Sequence, residues 1–419
     1  MTSTSDHKIP MSPGGVVVLV GTLATAYLVG QLLRNSVGVI APDFAAELGL
    51  SASQIGLLAS VFFFAFAAVQ LPLGVALDRY GPKRCMLVCA AIMAAGAMLF
   101  ASAQSATSIT LARALMGVGT SCYLMAPLAL YARTFSPDRF AAFAGWQLGI
   151  GSVGTLLATA PLAFVVAAIG WRATFVGIAL AVAPIAALIA FAVKEPKAAS
   201  AAGETLADSI RGVRDVFKTP SIGRLFLMNL TCYSGFVLIV GLWGGPYLTH
   251  VYGLSLTERG NLLLLPAVAQ VIGMILWGSS QRFFGSYKTP VLLGAGGTLA
   301  IYMTLATVDV LPLAVIAALL TALGFLSAFT PVVIAHGKSL FAPHLVGRGL
   351  TLLNMGTMGG AFLAQIISGG VIDLFPAREG VYSLNAYRAV FALEAALIVG
   401  SCLAYFGVPD PTRGVRTVQ

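Results

Sequence analysis

The sequence predicts an all-α membrane protein with twelve transmembrane helices in two pseudo-symmetric six-helix bundles. Three observations carry this. Of the 419 residues, 58% are hydrophobic and only 9% are charged, against about 25% charged in soluble chains. Lipid accepts apolar side chains on the outside of a fold, and water does not. Twelve apolar runs reach the length of about 20 residues that a helix needs to cross a bilayer. The basic residues, finally, are dense in every second segment between runs and sparse in the others.

The runs lie near 15–40, 53–77, 84–103, 107–132, 140–168 and 172–193, then 222–248, 258–280, 289–308, 311–335, 348–372 and 387–408; they are called spans one to twelve below. Barrel strands would be about ten residues long with strict alternation, which these runs lack. With the N-terminus inside, eighteen of the 24 Lys and Arg residues fall on the inner side. Four (Arg172, Arg259, Arg378, Arg388) fall outside, and Arg34 and Arg113 lie within spans. That bias predicts a multi-pass inner-membrane protein with both termini in the cytoplasm. The polar segment Met1–Pro10 precedes a run too long for a signal-peptide core, so span one is read as retained.

The net charge of +9 is absorbed by this topology. No basic stripe interleaved with aromatics marks a nucleic-acid partner. Cys85, Cys89, Cys122, Cys232 and Cys402 all lie in apolar runs, with no disulfide or zinc spacing. Cys85 and Cys89, one turn apart near Met86 and Met93, read as packing residues. No nucleophile–base set, metal set or phosphate loop appears, so neither an enzyme nor a cofactor is expected.

The longest polar stretch, 194–221, reads as a cytoplasmic linker. It divides the chain into an N-terminal bundle, 1–193, and a C-terminal bundle, 222–419, and Asp208 to Phe217 could form a short surface helix within it. The halves echo each other. After span two comes Gly74-Val-Ala-Leu-Asp78-Arg79-Tyr-Gly81-Pro-Lys83-Arg84, and after span eight Gly278-Ser-Ser-Gln-Arg282-Phe-Phe-Gly285-Ser-Tyr-Lys288, with glycines and closing base in register. Pro127 to Pro137 at the end of span four matches Pro331 to Pro343 at the end of span ten with a two-residue insertion. Related six-helix halves are a transporter design, with the solute held between them near mid-bilayer.

The stretch Gly74 to Arg84 closely resembles the signature loop between helices two and three of the major facilitator superfamily, departing only at Pro82 and in the shift of the basic pair. The resemblance covers essentially the whole chain and implies the major facilitator fold and alternating access. It implies that Gly74, Asp78, Arg79, Gly81 and Arg84 form a conformational latch: Gly74 would permit close helix approach, and Asp78 would pair with a base or cap a helix when the cytoplasmic side closes.

A charge at the bilayer centre costs about 2.5–3.5 kcal/mol, so it faces a cavity or a partner. Arg34 lies eight residues before Pro42, about 12 Å inside the outer end of span one. Tyr27, Gln31 and Arg34 share one helical face. Arg113, Gly117 and Ser121 share another on span four. A guanidinium offers a fork of donors suited to carboxylate, phosphate or nitrate. The stretch Leu33 to Pro42 also resembles the first helix of the organic-anion symporters of the superfamily, where such an Arg binds the substrate carboxylate. Those proteins often carry an Asp just before it and an acid in helix four; here stand Leu33 and Cys122 or a neighbour.

The expected substrate-binding set is therefore Arg34, Tyr27, Gln31, Arg113, Gln147, Tyr233 and Asn354. Gln70, Trp243, Gln270, His336 and Gln365 are further polar or aromatic residues inside spans, each as well explained by helix-to-helix hydrogen bonds. Glu394 is the candidate proton site, with a structural or lipid-adjacent role equally open. Asp43 is expected to be solvated at the outer mouth. Gly244-Gly245-Pro246 and Gly359-Gly360 read as gates or close-packing points. The core is net positive, which favours an anionic solute. The expected function is transport of a small carboxylate-like organic anion, with H+ as coupling ion, by a monomer in the lipid bilayer. The alternative is proton-coupled efflux of drugs or metabolites. It meets a partial glycine signature in span five, where Gly145 and Gly154 fit, Ala158 replaces a further Gly and Pro161 is displaced.

Overall fold

The computed structural model describes residues 12–193, 211, 214–342, 345–378 and 380–411. Most of the expected linker, and Lys8, Arg413 and Arg416, lie outside the described residues. The described chain is helical throughout, with one isolated β bridge between Arg378 and Val381.

Ten helices among the described residues are long and apolar enough to cross a membrane, and eleven when the bent pair Ala52–Ala68 and Gln70–Tyr80 counts as one. The twelfth crossing is hidden by continuity. The helix Ala160–Ala192 changes course at Gly170, whose φ of 79° lies in the region glycine favours. Residues before it complete span five, begun by Pro137–Leu157, and residues after it form span six. Phe175 of span six stacks on Phe100 of span three at 4.2 Å.

Several spans are broken. Span one runs Pro13–Asn35 then Val37–Leu48, and span four Ala106–Thr120 then Met125–Thr134. Span seven runs Ile222–Thr231, Ser234–Leu238, a π-helical turn Ile239–Trp243 and Gly244–Tyr252. Span ten is interrupted by a 3-10 turn, Ser327–Phe329. The breaks of spans four and ten stand in equivalent places, just before Pro127 and Pro331, so the repeat read in the sequence reappears as repeated geometry. A second equivalence was not apparent from sequence. Arg172, early in span six, donates to the carbonyls of Ala101 and Ala103 at the end of span three and pairs with Glu47 at 2.8 Å. Arg388, early in span twelve, donates to the carbonyls of Ala306 and Thr307 at the end of span nine and pairs with Asp309 at 2.9 Å. In each half an arginine neutralises the negative end of a helix.

The halves meet at the face that carries Asp43, Glu47 and Asp373, called the far face below. Three contacts seal it. Asp373, at the end of span eleven, caps span two by accepting from the backbone N–H of Ala52 (3.0 Å) and Ser53 (2.8 Å). Tyr382 donates to the same carboxylate at 2.8 Å and accepts from Ala52 N at 2.9 Å. Arg259 of span eight pairs with Asp43 and donates to Val39 O at 2.8 Å; Asp43 is thus ion-paired and not merely solvated, contrary to the sequence expectation. Glycines bring the backbones together: a Cβ on Gly38 would collide with Val240 O, one on Gly245 with Gly38 O, and one on Gly56 would lie 2.7 Å from Gln365 O. Gly245 is thus a point of close packing between the halves, while Gly244 packs on Ile239 and Leu263 within the second half. Gly360 packs on Leu230 O within the second half.

The opposite, near face is different. Gly74 has nothing within 4 Å of where its Cβ would stand, and Asp78, Arg79 and Arg84 are exposed. The contacts described above that seal the two halves together lie at the far face.

Candidate substrate site

Span one continues past Pro42 to Leu48, so Arg34 lies 14 residues, about 21 Å along the helix, from its far end and deeper than the sequence suggested. Arg34 is 8% exposed. Its guanidinium lies 4.8 Å from the ring centroid of Phe66 on span two, a cation–π contact that supports the charge without using its N–H donors. Tyr27 of span one and Tyr233 of span seven both place their hydroxyls in the field of Arg34, and Tyr27 also senses Tyr233. Tyr233 sits at the break of span seven, with φ −120°.

Among the described residues, six buried side-chain atoms have no hydrogen-bond partner: Arg34 Nε, Gln31 Oε1, Asn35 Oδ1, Gln70 Nε2, and both Nε2 and Oε1 of Gln365. Burying a polar group without a partner costs about 1–3 kcal/mol. Buried polar atoms are nearly always hydrogen-bonded, so each of these calls for a partner outside the described side chains. The neighbouring π turn belongs to a class of helix defect frequent at functional sites.

The remaining expected ligands are engaged otherwise. Arg113 is 1% exposed and lies over the Phe62 ring at 4.5 Å. It donates to Leu33 O (2.7 Å), Arg34 O and Leu58 O (both 3.4 Å). It braces the backbone beneath Arg34 and ties spans one, two and four together. Gln147 donates to Leu23 O and Tyr123 O and accepts from Tyr131, so its amide is fully occupied as a helix clamp. Asn354 is half-buried, and the nearby clamp is Asn229, which donates to Leu353 O and accepts from Thr357. Trp243 donates to Ser368, Gln270 accepts from Ser327, and His336 is held between Tyr405 and the Pro409 carbonyl. Glu394 is buried away from any lipid face and accepts a 2.5 Å hydrogen bond from Ser234, beside the break in span seven.

Sequence reasoning did not single out Asn35 or Phe66. Asn35 has a signal, an amide next to an intramembrane arginine. Phe66 has none, since one phenylalanine among the apolar residues of span two looks like any other.

The model of the Major Facilitator Superfamily matches residues 23–258 and 225–418, which together span nearly the whole chain. The chain belongs to the major facilitator superfamily. Its members are transporters and not enzymes, and this is a multi-pass membrane protein. The "Probable sulfoacetate transporter SauU" of Cupriavidus necator is 24% identical over 93% of this chain and 93% of its own length. The "Probable L-galactonate transporter" of Escherichia coli is 25% identical over 66% of each chain. The "Multidrug resistance protein MdtL" of Escherichia coli is 26% identical over 62% of this chain and 67% of its own. Among solved structures, a bacterial homolog of the human lysosomal transporter Spinster superposes with a TM-score of 0.77 at 18% identity, covering 95% of this chain and 97% of that one. The nucleoside transporter NupG superposes at 0.74 and 15% identity, covering 93% and 100%.

Proposed function

We propose that the protein carries a small organic anion across the inner membrane by alternating access, with Arg34 holding the anionic group. The observation that carries this is a buried arginine with an unpartnered Nε and, among the described residues, no carboxylate paired to it, on a span that also carries the unpartnered amide oxygens of Gln31 and Asn35. A desolvated guanidinium beside two tyrosine hydroxyls and amide groups is complementary to a carboxylate or sulfonate. Two relatives are named for organic anions, sulfoacetate and L-galactonate. Tyr27, Gln31, Asn35, Gln70 and Tyr233 would complete the hydrogen bonding, and Arg113 would position span one. Glu394 is the candidate proton carrier, and its contact with Ser234 couples it to the broken part of span seven. Both termini are assigned to the cytoplasm, and residues 194–221 join the two bundles there.

The efflux alternative has its own support in the likeness to the multidrug protein. A thermal-stability screen of purified protein separates the two. Short carboxylates and sulfonates at 100 times their Kd should stabilise by about 2.7 kcal/mol, and the Arg34→Ala variant should lose the effect. Stabilisation by cationic drugs alone would overturn the anion assignment.

The latch loop is assigned to the opposite closed state, in which the near face comes together around Gly74, Asp78, Arg79, Gly81 and Arg84. Asp78→Asn should slow transport at least tenfold while the anion-induced thermal shift stays within twofold of wild type in apparent Kd. Equal losses in binding and transport would contradict a latch role.

A further inference from the structure

Gln365 is the described residue whose side-chain amide is buried with neither end partnered. It is 1% exposed. It lies eight residues before Asp373, which caps span two at the far face, and so about 12 Å inside that face. Arg34 lies deeper, 14 residues before the end of span one at Leu48 and so about 21 Å along it from that end. The backbone of Gln365 abuts Gly56 of span two, and its Nε2 stands 3.6 Å from where a Cβ on Gly241 would be. Gly38, one turn from Arg34, packs on Val240 and Gly241 from the other side. The Gln365 amide therefore reaches span seven at the level of Gly38, one turn of span one outward from Arg34, and the two polar groups come one from each half of the molecule. The glycine at 241 offers the amide no side chain to bond, and the amide stays buried and unpartnered.

The chemistry of an amide is specific. It offers an acceptor and two donors in one plane. Gln147, elsewhere in the bundle, uses all of this on protein groups; Gln365 uses none. A hydroxyl group meets both ends, donating to Oε1 and accepting from Nε2. A second carboxylate would meet Nε2 but face the carbonyl oxygen with negative charge. An alkyl chain would bury both ends unpaired.

We propose that Gln365 is a specificity-determining residue: the solute carries hydroxyl groups on the part remote from its charge, with the anionic end on Arg34 and the hydroxylated end on the Gln365 amide. This rests on the anion reading above. A site built to hydrogen-bond a substrate hydroxyl rejects the analogue lacking it far more strongly than an apolar pocket rejects a missing methylene.

The test uses matched pairs of monocarboxylates that differ only in hydroxylation, at three, four and six carbons: propionate and glycerate, butyrate and threonate, hexanoate and gluconate. Succinate serves as the dicarboxylate control. Binding is read by thermal shift on purified protein, and transport by uptake into proteoliposomes. Wild-type protein should prefer the hydroxylated member of at least one pair by tenfold or more and should reject succinate. Gln365→Leu should raise KM for that member at least tenfold while leaving kcat and the weaker binding of the bare acid within twofold. Gln365→Asn should restore part of the preference. Two results would overturn the proposal. One is a wild-type protein that binds both members of every pair alike, or that prefers succinate. The other is a Gln365→Leu variant that loses both members equally, which would mark Gln365 as a conformational contact used in the other closed state. The anion reading itself fails only if no carboxylate or sulfonate binds in an Arg34-dependent way, and Gln365 variants do not enter that criterion.

Discussion

Replacing Arg34 with alanine is expected to abolish transport, by more than about 100-fold, while the protein still reaches the membrane. Removing one partner of a buried, hydrogen-bonded charge pair costs about 2–5 kcal/mol, and each 1.4 kcal/mol is tenfold in affinity. The loss should appear only with solute. In its absence Arg34 is a buried charge with an unpartnered Nε, supported by the Phe66 ring. Its removal therefore relieves a desolvation cost, and the melting temperature of the unliganded variant should stay level or rise. Arg34→Lys keeps the charge but loses the planar fork, so it should bind anions weakly and not at wild-type strength. Uptake by Arg34→Ala at the wild-type rate would sink the assignment. A variant that fails to accumulate in the membrane would instead show that Arg34 is structural, which its unpartnered Nε argues against.

The second large effect is expected at Gly38. Any side chain there meets Val240 O and the Gly241 backbone, and neither can move without parting span one from span seven. Overpacking of this kind costs about 1–3 kcal/mol, and here the cost falls on the far-face-closed state alone. A shift of that size changes the ratio of two states by about 5- to 150-fold. Gly38→Val should therefore hold the far face open and block transport. A cysteine placed at Ser53, which Asp373 covers here, should then react faster with a membrane-impermeant maleimide in a background free of other cysteines. Unchanged labelling together with normal uptake would show that the contact is not a gate.

Much of the fold was legible because its cause is local. A run of about 20 apolar residues can do little except cross a bilayer as a helix. The repeat was legible at Gly74 to Arg84 and at Pro127, since glycine and proline mark backbone geometry that both halves need. Arg34 was legible as well, because a charge in such a run is costly wherever it points.

What escaped depends on which way a side chain turns. Arg34 and Arg113 read alike in sequence, each an arginine within a span. The structure turns Arg113 into three backbone carbonyls and leaves Arg34 Nε unpartnered. Gln147 and Gln365 read alike too, yet one amide is saturated and the other bare. Asp43 looked solvated until Arg259, more than two hundred residues away, was placed beside it. Composition and the length of the apolar runs determined by themselves that this is a multi-pass helical membrane protein, and the repeat with the Gly74 to Arg84 stretch pointed to the major facilitator fold. Only the tertiary structure decided which polar atoms remain for a solute, because satisfaction of a hydrogen bond depends on partners that the chain brings from distant spans.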